Sequence, residues 1–446
     1  MRYTREETDA AVWKLGNSSL IFLTLAALLL VLAVACEEEE EKEETPTGSP
    51  TAAATGTPAV TATPVVENVD GITDKEIILG SHFAQTGTYG AAFAPVLAGM
   101  KAYFNYVNAE KGGVCGRTLV LKPENDDYDP AKAVEVVRNL VEEDKVFAII
   151  GGLGTAAHSA VWEYLNEIGV PDLWIMSAAH EFAAEPEKHP WSVPLLPDYY
   201  VEGTIFGKYI SQNFADRKVG ILYQDDEFGK DELDGLKNGL DPTKNELVSE
   251  QSYELNAVSI ASQVTNLKND GVEVVVGACI PGYCAAAIKA ANRMDWHPQF
   301  FVSYLNADFV PFMFAQWDVQ LMEGVITTHA PKVSYWTDDP AIAEHYGIMK
   351  EYGDMPPSNY TVIGQLAGEL TVEALGRTCD NLTRQGLMDA VHSFQDYQSD
   401  LMLPGITITL SPTDHLAIEA MRMLRATVVD GKGKWEYFGD VIPFSE

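Results

Sequence analysis

Small, polar and aromatic residues cluster in four loops of this 446-residue chain, each after an apolar segment typical of a buried strand. The loops are 85–90 (Gln-Thr-Gly-Thr-Tyr-Gly), 151–155 (Gly-Gly-Leu-Gly-Thr), 177–180 (Ser-Ala-Ala-His) and 224–229 (Gln-Asp-Asp-Glu-Phe-Gly). Glycine lets a backbone approach a bound molecule closely. Free N–H groups at a helix start favour an anion such as a carboxylate. These loops therefore predict a binding site for a small solute.

Residues suited to catalysis are sparse. The sequence contains neither a Gly-x-Ser-x-Gly elbow nor a His-Glu-x-x-His zinc motif. His158 and His180 fall near the predicted site. A lone histidine there is more often a hydrogen-bond partner than a base. We expect no enzymatic activity, no cofactor and no metal site.

One segment nearly matches a dinucleotide fingerprint. Residues 152–157 read Gly-Leu-Gly-Thr-Ala-Ala, and Asp172 lies about twenty residues on. The ribose-binding acid belongs at the carboxyl end of a strand, whereas Asp172 precedes its strand. The motif is also not in the first strand–helix turn. We therefore expect no nucleotide site.

Apolar strands and amphipathic helices alternate along the chain, and the rhythm restarts near Tyr199. Such a pattern predicts an α/β fold of two doubly wound parallel-sheet lobes. Ligands of open parallel sheets bind beyond the carboxyl ends of the strands, so two facing lobes would form a cleft. The predicted strands are Lys75–Phe83, Arg117–Leu121, Val146–Ile150, Leu173–Met176, Lys218–Tyr223, Leu247–Tyr253, Val272–Val276 and Gln299–Ser303, with Val325–His329, Ile406–Leu410 and Trp435–Phe438 not assigned to a lobe.

The net charge is −35. A surface so acidic repels phosphate backbones, which excludes nucleic acid as a partner.

The N-terminus predicts export and anchoring. Residues 1–35 have a positive stretch and then an apolar run from Leu20 to Val34, as in a signal peptide. The run ends Leu-Ala-Val-Ala-Cys, similar to a bacterial lipobox that would lipidate Cys36, although Ala33 stands where a larger residue is usual. An uncleaved membrane span is the alternative. Residues 36–70 are acidic and then rich in Thr and Pro, which predicts a disordered linker before a folded body at 71–446.

Four cysteines follow Cys36, an even number that suits disulfides in an exported protein. Cys279 and Cys284 are close enough in sequence to close a small loop, which would leave Cys115 and Cys379 as the second pair. Four thiols allow three pairings, and sequence alone leaves all three open.

The body resembles the leucine/isoleucine/valine-type solute-binding proteins of ABC importers, which have a type I periplasmic-binding fold. The resemblance rests on the order and spacing of the motifs 85–90, 108–117 (Asn-Ala-Glu-Lys-Gly-Gly-Val-Cys-Gly-Arg), 126–130 (Asp-Asp-Tyr-Asp-Pro), 145–152 (Lys-Val-Phe-Ala-Ile-Ile-Gly-Gly) and 225–229. It implies a monomeric lipoprotein that captures an amino acid, or a related amide or acid, for partner permease and ATPase subunits. A sensory receptor of the same fold, signalling to a membrane partner, is the alternative.

The resemblance also implies three crossovers between lobes, near Pro197, Gly324 and Pro404. Lobe one would then hold 72–197 and 325–404, and lobe two 198–324 and 405–446. This arrangement would put Cys115 and Cys379 in one lobe.

Site residues follow from the same resemblance. Gly154, Thr155, Ala178 and His180 match positions that bind the carboxylate and ammonium of an amino acid. Tyr89 matches an aromatic residue of the cleft, and Phe228 replaces a common tyrosine. The acid that pairs with the ammonium is missing after the strand Gln299–Ser303, where Asn306 or Asp308 would have to substitute. A neutral Asn cannot balance a buried ammonium, so a small acid, amide or aromatic solute is as open as an amino acid.

Overall fold

The computed structural model describes residues 69–309 and 318–444. The predicted signal peptide, Cys36 and most of the predicted linker lie outside these residues. Within the described ranges, no helix has the length and apolar character that a membrane crossing requires.

The first lobe is built on a five-stranded parallel sheet in the order β2-β1-β3-β4-β5. Strands β3 and β4 are buried at every residue, which explains why they are apolar throughout except for Asp172 at the start of β4. The strands are β1 (Glu76–Phe83), β2 (Thr118–Asn125), β3 (Ala148–Ile150), β4 (Asp172–Ile175) and β5 (Ser192–Pro194).

Helices from two separate parts of the chain cover this sheet. The later group packs here because its long helix lies along the first helix of the fold, and because Arg384 donates to the carbonyl oxygens of Val146 and Phe147. The helices are α1 (Gly87–Tyr106), α2 (Pro130–Arg138), α3 (Thr155–Ser159), α4 (Trp162–Glu167), α5 (Glu181–Ala184), and, after the second lobe's helices α6 to α9, α10 (Pro340–Tyr352), α11 (Asn359–Arg377) and α12 (Arg384–Val391).

The second lobe is built on a seven-stranded sheet in the order β12-β11-β10-β9-β8-β6-β7. Strand β11 is antiparallel to both of its neighbours, and the other pairs are parallel. The strands are β6 (Lys218–Gln224), β7 (Glu246–Tyr253), β8 (Val274–Ala278), β9 (Gln299–Val302), β10 (Ile326–His329), β11 (Ala420–Val429) and β12 (Lys432–Pro443); its helices are α6 (Tyr199–Asn213), α7 (Glu227–Gly239), α8 (Ala261–Asn269) and α9 (Pro281–Arg293).

The predicted α/β fold of two sheet-based lobes is confirmed for the folded body. Two details differ from the prediction. Residues 406–410 form no regular strand, and only an isolated bridge joins Ile408 to Tyr397. The C-terminal hairpin of β11 and β12 is antiparallel, so the second sheet is mixed.

The lobe boundaries also differ from the expected ones at two of the three crossings. Strand β10 pairs with β9 and β11, so the chain stays in the second lobe past Gly324 and leaves it after His329. Beyond Pro404 the chain remains on the first lobe, where His415 Nδ1 lies 2.8 Å from the carbonyl oxygen of Ser192. It enters the second sheet only at β11. Glycine and proline mark breaks in a chain, but strand pairing decides to which lobe a segment belongs.

Two disulfides occur among the described residues. Cys115 is bonded to Cys379 within the first lobe, and Cys279 is bonded to Cys284 within the second. This is one of the three pairings that the sequence leaves open.

Candidate functional site

A cavity lies where the carboxyl ends of strands from both sheets face each other. Both lobes supply its wall, as expected for two open sheets that share one ligand site. The first lobe, including its helices α1 and α11, supplies Phe93, Val96, Tyr128, Leu153, Gly154, Thr155, Met176, Leu196, Tyr360 and Ile363. From the second lobe come Tyr199, Phe228, Ile280, Tyr304 and Leu305.

Three of the seven residues that sequence reasoning assigned to the site line this cavity. Gly154 and Thr155 lie at the start of α3, directly after β3, and Phe228 lies in the first turn of α7, after β6. All three sit in loops or helix starts that follow a strand. Parallel strands deliver such segments to one edge of a sheet.

Tyr89 and Ala178 support the wall without lining it. The Tyr89 ring stacks on that of Tyr128, with 3.8 Å between ring centroids and an interplanar angle of 2°. Its hydroxyl donates to Oε1 of Gln224 over 3.1 Å, which joins the first lobe to the end of β6. The carbonyl oxygen of Ala178 accepts the N–H of Tyr199 over 3.1 Å.

His180 and Asn306 have other partners. The His180 side chain is 56% exposed and contacts Asp198 over 2.7 Å. This hydrogen bond raises the pKa of the imidazole. Asn306 is fully buried, and its amide nitrogen donates to the carbonyl oxygens of Cys279 and Ser303. Neither residue lines the cavity.

Thr155 supplies a hydroxyl group to the wall, and a second hydroxyl, that of Ser177, lies behind it. Thr155 Oγ1 lies 2.7 Å from Ser177 Oγ, and both side chains are buried. The backbone holds them in place, because the N–H of Gly154 donates to the carbonyl oxygen of Met176 over 3.2 Å. A hydroxyl pair of this kind can donate to one polar group of a bound solute.

Gly154 has the conformation that fits the cavity wall around Tyr128. Its φ is +95°, which side chains other than glycine rarely adopt. Three atoms of the Tyr128 ring lie within 2.9 Å of the place where a Cβ would stand. The aromatic ring therefore occupies the space that only glycine leaves free.

No charged side chain is present among the described residues that line the cavity. Asp308, which sequence reasoning considered as a partner for an ammonium, accepts the N–H of Tyr360 over 2.8 Å. Asp226 lies behind the wall, where its carboxylate accepts from Gln224 over 2.7 Å. Burial raises the pKa of Asp226 to about 6. The wall therefore offers aromatic and aliphatic surface with hydroxyl groups.

A buried chain of four polar side chains lies beneath the first-lobe loops. Asp126 Oδ2 is 2.8 Å from His82 Nδ1, and His82 Nε2 is 2.9 Å from His158 Nδ1. His158 Nε2 is in turn 2.8 Å from Asp172 Oδ2. Ring atoms of both histidines lie within 2.9 Å of where a Cβ on Gly152 would stand, so only glycine fits there. This chain fixes the loop that carries Gly154 and Thr155.

Sequence reasoning missed this chain. It treated His158 as a single histidine near the cleft, and it considered Asp172 only as a ribose-binding acid. The signal that was available is that His82, Asp126 and Asp172 lie at or next to strand ends of one sheet, while His158 lies on the short helix that follows β3.

A pair of buried glutamates supports the second-lobe wall. Glu202 on α6 accepts the N–H of Tyr304 over 2.9 Å and the hydroxyl of Ser303 over 2.8 Å, and it also accepts from Thr328. Glu232 on α7 is fully buried beside it. Burial raises the pKa of both carboxyl groups, and the charge of Glu202 raises that of Glu232 further. The raised pKa favours the protonated form of Glu232.

Replacing Glu232 by glutamine is expected to stabilise the protein at alkaline pH. The folded state holds a proton on Glu232 that the unfolded state releases above the ordinary glutamate pKa of 4.5. The free energy of unfolding of the wild type is therefore highest below pH 4.5. It falls as the pH rises towards the raised pKa of the folded state. The amide needs no proton and still donates. Urea unfolding at pH 8 should show a gain of about 1–3 kcal/mol, shrinking towards pH 4.

Glu202→Gln is the matched control for this substitution. It makes the same chemical change in the acceptor of three hydrogen bonds, so we expect a loss of stability at both pH values. A Glu232→Gln protein that is less stable than wild type at pH 8 would show that Glu232 is ionised in the folded state.

A family model described as a periplasmic binding protein matches residues 76–434. Leu/Ile/Val-binding protein homolog 7 of Brucella abortus is 23% identical over 318 residues, which span 68% of this chain and 77% of the relative. The fold is similar to that of a branched chain amino acid ABC transporter from Thermus thermophilus with bound valine, with a TM-score of 0.73, 18% identity, and coverage of 83% of this chain and 97% of that one. It is also similar to the solute binding protein of an ABC transporter from R. palustris in complex with 4-hydroxybenzoate, with a TM-score of 0.69, 16% identity, and coverage of 83% and 97%.

Proposed function

Since the chain belongs to the periplasmic binding protein family, we propose that it captures a small solute between its two lobes and delivers it to an ABC importer. The family implies an extracytoplasmic location, and its members are solute-binding proteins rather than enzymes. The observation that carries the proposal is the cavity at the facing strand ends, with its wall drawn from both lobes. The permease and ATPase subunits would be separate chains.

The preferred solute has an apolar body and one polar group, and it lacks an ammonium. The aromatic rings of Tyr128, Phe228 and Tyr304 line the wall. Their contact with an aromatic or branched aliphatic body would stabilise the bound solute. The Thr155 hydroxyl, which is hydrogen-bonded to Ser177 behind it, would bind the polar group, an acid or an amide. An ammonium would be buried without a carboxylate on the wall, which costs several kcal/mol. An acid would bind in its neutral form, because the described residues of the wall include no cation either.

Similar folds fit both kinds of ligand. The Thermus thermophilus protein holds valine, and the R. palustris protein holds 4-hydroxybenzoate, an aromatic acid without an ammonium. The fold alone therefore does not choose between them. The composition of this cavity wall favours the acid or amide.

Isothermal titration with two matched sets of compounds tests the solute class. One set is leucine, 4-methylpentanoate and 4-methylpentanamide; the other is phenylalanine, 3-phenylpropanoate and 3-phenylpropanamide. Within a set the body is constant, and the acid or the amide should bind at least about 10-fold more tightly than the amino acid. Tighter binding of the amino acid would contradict the proposed solute class, but it would still support capture of a solute between the lobes. No binding by any compound would count against capture in this cavity.

Thr155→Val removes the hydroxyl but keeps the shape, and should weaken the best compound by about 10-fold. Thr371→Val is the matched control, because Thr371 is also buried but donates to Ala367 within α11, away from the cavity. We expect unchanged affinity for this control. Delivery is tested by uptake of the labelled compound in cells without this chain, and undiminished uptake would contradict it.

A further inference from the structure

Two loops of the second lobe present side chains to the cavity. Ile280 follows β8, and Tyr304 and Leu305 follow β9. These loops supply most of the second-lobe wall, so the shape of the cavity depends on how firmly they are held.

The disulfide between Cys279 and Cys284 encloses the first of these loops. Cys279 directly follows β8, and Cys284 lies in the first turn of α9. The covalent bond therefore ties the end of the strand to the start of the helix, with Ile280 between them. Both sulfur-bearing residues are buried, at 0% and 1% exposure, so the bond lies inside the lobe behind the cavity wall.

Asn306 connects this closed loop to the second one. Its side-chain amide donates to the carbonyl oxygen of Cys279 over 2.8 Å and to that of Ser303 over 3.1 Å. Its backbone N–H also donates to Ser303 over 2.8 Å. The turn that presents Tyr304 and Leu305 is thus held against a carbonyl group whose position the disulfide fixes.

The other disulfide has no such relation to the cavity. Cys379 follows the end of α11, whereas the cavity residues Tyr360 and Ile363 lie in the first two turns of that helix. A helix of 19 residues is about 28 Å long. The Cys115–Cys379 bond is therefore remote from the site, although it closes a far longer segment of chain.

We infer that the Cys279–Cys284 disulfide is a positioning element of the solute site, acting through Ile280 and, by way of Asn306, through Tyr304 and Leu305. Solute affinity is consequently higher when this bond is formed than when it is absent. The inference rests on the proposed function, because it specifies how the wall of that same site is held.

The two disulfides can be compared in the full chain by paired serine substitutions. Cys279→Ser with Cys284→Ser should weaken the tightest compound of the titration series by about 10-fold or more. Cys115→Ser with Cys379→Ser should leave affinity within about two-fold, yet lower the melting temperature more, since it releases a loop spanning 264 residues against one of 5. If both bonds had a purely structural role, the variant with the larger loss of stability would also show the larger loss of affinity. We expect the opposite.

A double-mutant cycle tests the route through Asn306. Asn306→Ala in the oxidised protein should reduce affinity by a similar factor, and adding it to the Cys279→Ser, Cys284→Ser protein should have little further effect, because both changes break one connection. If the triple variant loses affinity by the product of the two separate losses, the route through Asn306 is contradicted. Unchanged affinity in the Cys279→Ser, Cys284→Ser protein would overturn the inference.

Hydrogen exchange separates this inference from the proposed function. The N–H groups of Tyr283 and Asn306 bond within the two loops. They should exchange faster in the Cys279→Ser, Cys284→Ser protein and stay unchanged in the Cys115→Ser, Cys379→Ser protein. If wild type binds no compound, the proposed function fails, and exchange alone decides whether the disulfide positions the loops. Equal exchange rates of these two N–H groups in the two variants would overturn the positioning role of the Cys279–Cys284 disulfide.

Discussion

Gly154→Ala is expected to weaken solute binding by about 100-fold or more. The new methyl group would overlap the Tyr128 ring, three atoms of which lie within 2.9 Å of its position. Tyr128 cannot retreat, because it is buried and stacked on Tyr89, whose hydroxyl is bonded across the cleft to Gln224. Relief of the overlap must move the ring or the loop into the cavity. Isothermal titration with the best-binding compound measures the effect.

The backbone strain of this substitution needs its own control. An alanine at φ +95° is strained wherever it stands, by about 1–2 kcal/mol. Gly405→Ala imposes a similar strain, since Gly405 has φ +86°, but no atom lies within 4 Å of its Cβ position. Both variants should lose stability, and only Gly154→Ala should lose affinity. Near wild-type affinity for Gly154→Ala would show that the Tyr128 ring does not form the wall of the binding site.

The sequence is informative about the loops of the site and less so about its helices. Gly154, Thr155 and Phe228 could be predicted because glycine, hydroxyl and aromatic residues after an apolar strand are conspicuous. Phe93 and Ile363 line the cavity from α1 and α11. Apolar residues at helical spacing look the same whether they face the core or a cavity, so the sequence contains no signal that separates the two.

Tyr128 and Tyr304 show a second limit. Tyr128 lies in the motif 126–130, and Tyr304 directly follows the predicted strand Gln299–Ser303, but neither was predicted as a site residue. Tyr128 has φ +61°, a backbone conformation unusual for an aromatic residue, and this conformation turns its ring onto Tyr89. The direction of a side chain in a loop depends on such backbone angles, which the residue types alone do not reveal.

The fold itself was largely predictable, because the apolar strands are short, continuous and regularly spaced. The lobe assignment of β10 and of residues 405–418 was not. It depends on pairing between strands far apart in sequence, such as β10 with β11. Local breaks at Gly324 and Pro404 do not encode that pairing.

The buried chain of Asp126, His82, His158 and Asp172 depends on hydrogen bonds between residues that are far apart in sequence. Three hydrogen bonds join the four side chains, so three protons must lie along it. A group with this composition is stable inside a protein only while every member keeps its partners.

Asp172→Ala is therefore expected to destabilise the protein by about 3–5 kcal/mol. The substitution leaves His158 Nε2 without its acceptor, and it also removes the acceptor of the Ser192 hydroxyl, 3.0 Å away. All of these side chains have 0% exposure, so water cannot replace the lost carboxylate without opening the sheet. Urea unfolding of the full chain measures the loss.

Asp144→Ala is the control that separates burial from charge. Asp144 pairs with Lys122 over 2.5 Å, but its side chain is 35% exposed, so removal of this carboxylate should cost no more than about 1 kcal/mol. Equal losses for the two variants would mean that the histidine chain is open to solvent. A large loss at Asp172 alone would show that this acid, which resembles part of a nucleotide fingerprint, helps to hold the loop of Gly154 and Thr155. In that case the glycines at 152 and 154 leave room for two histidines and a tyrosine rather than for a pyrophosphate.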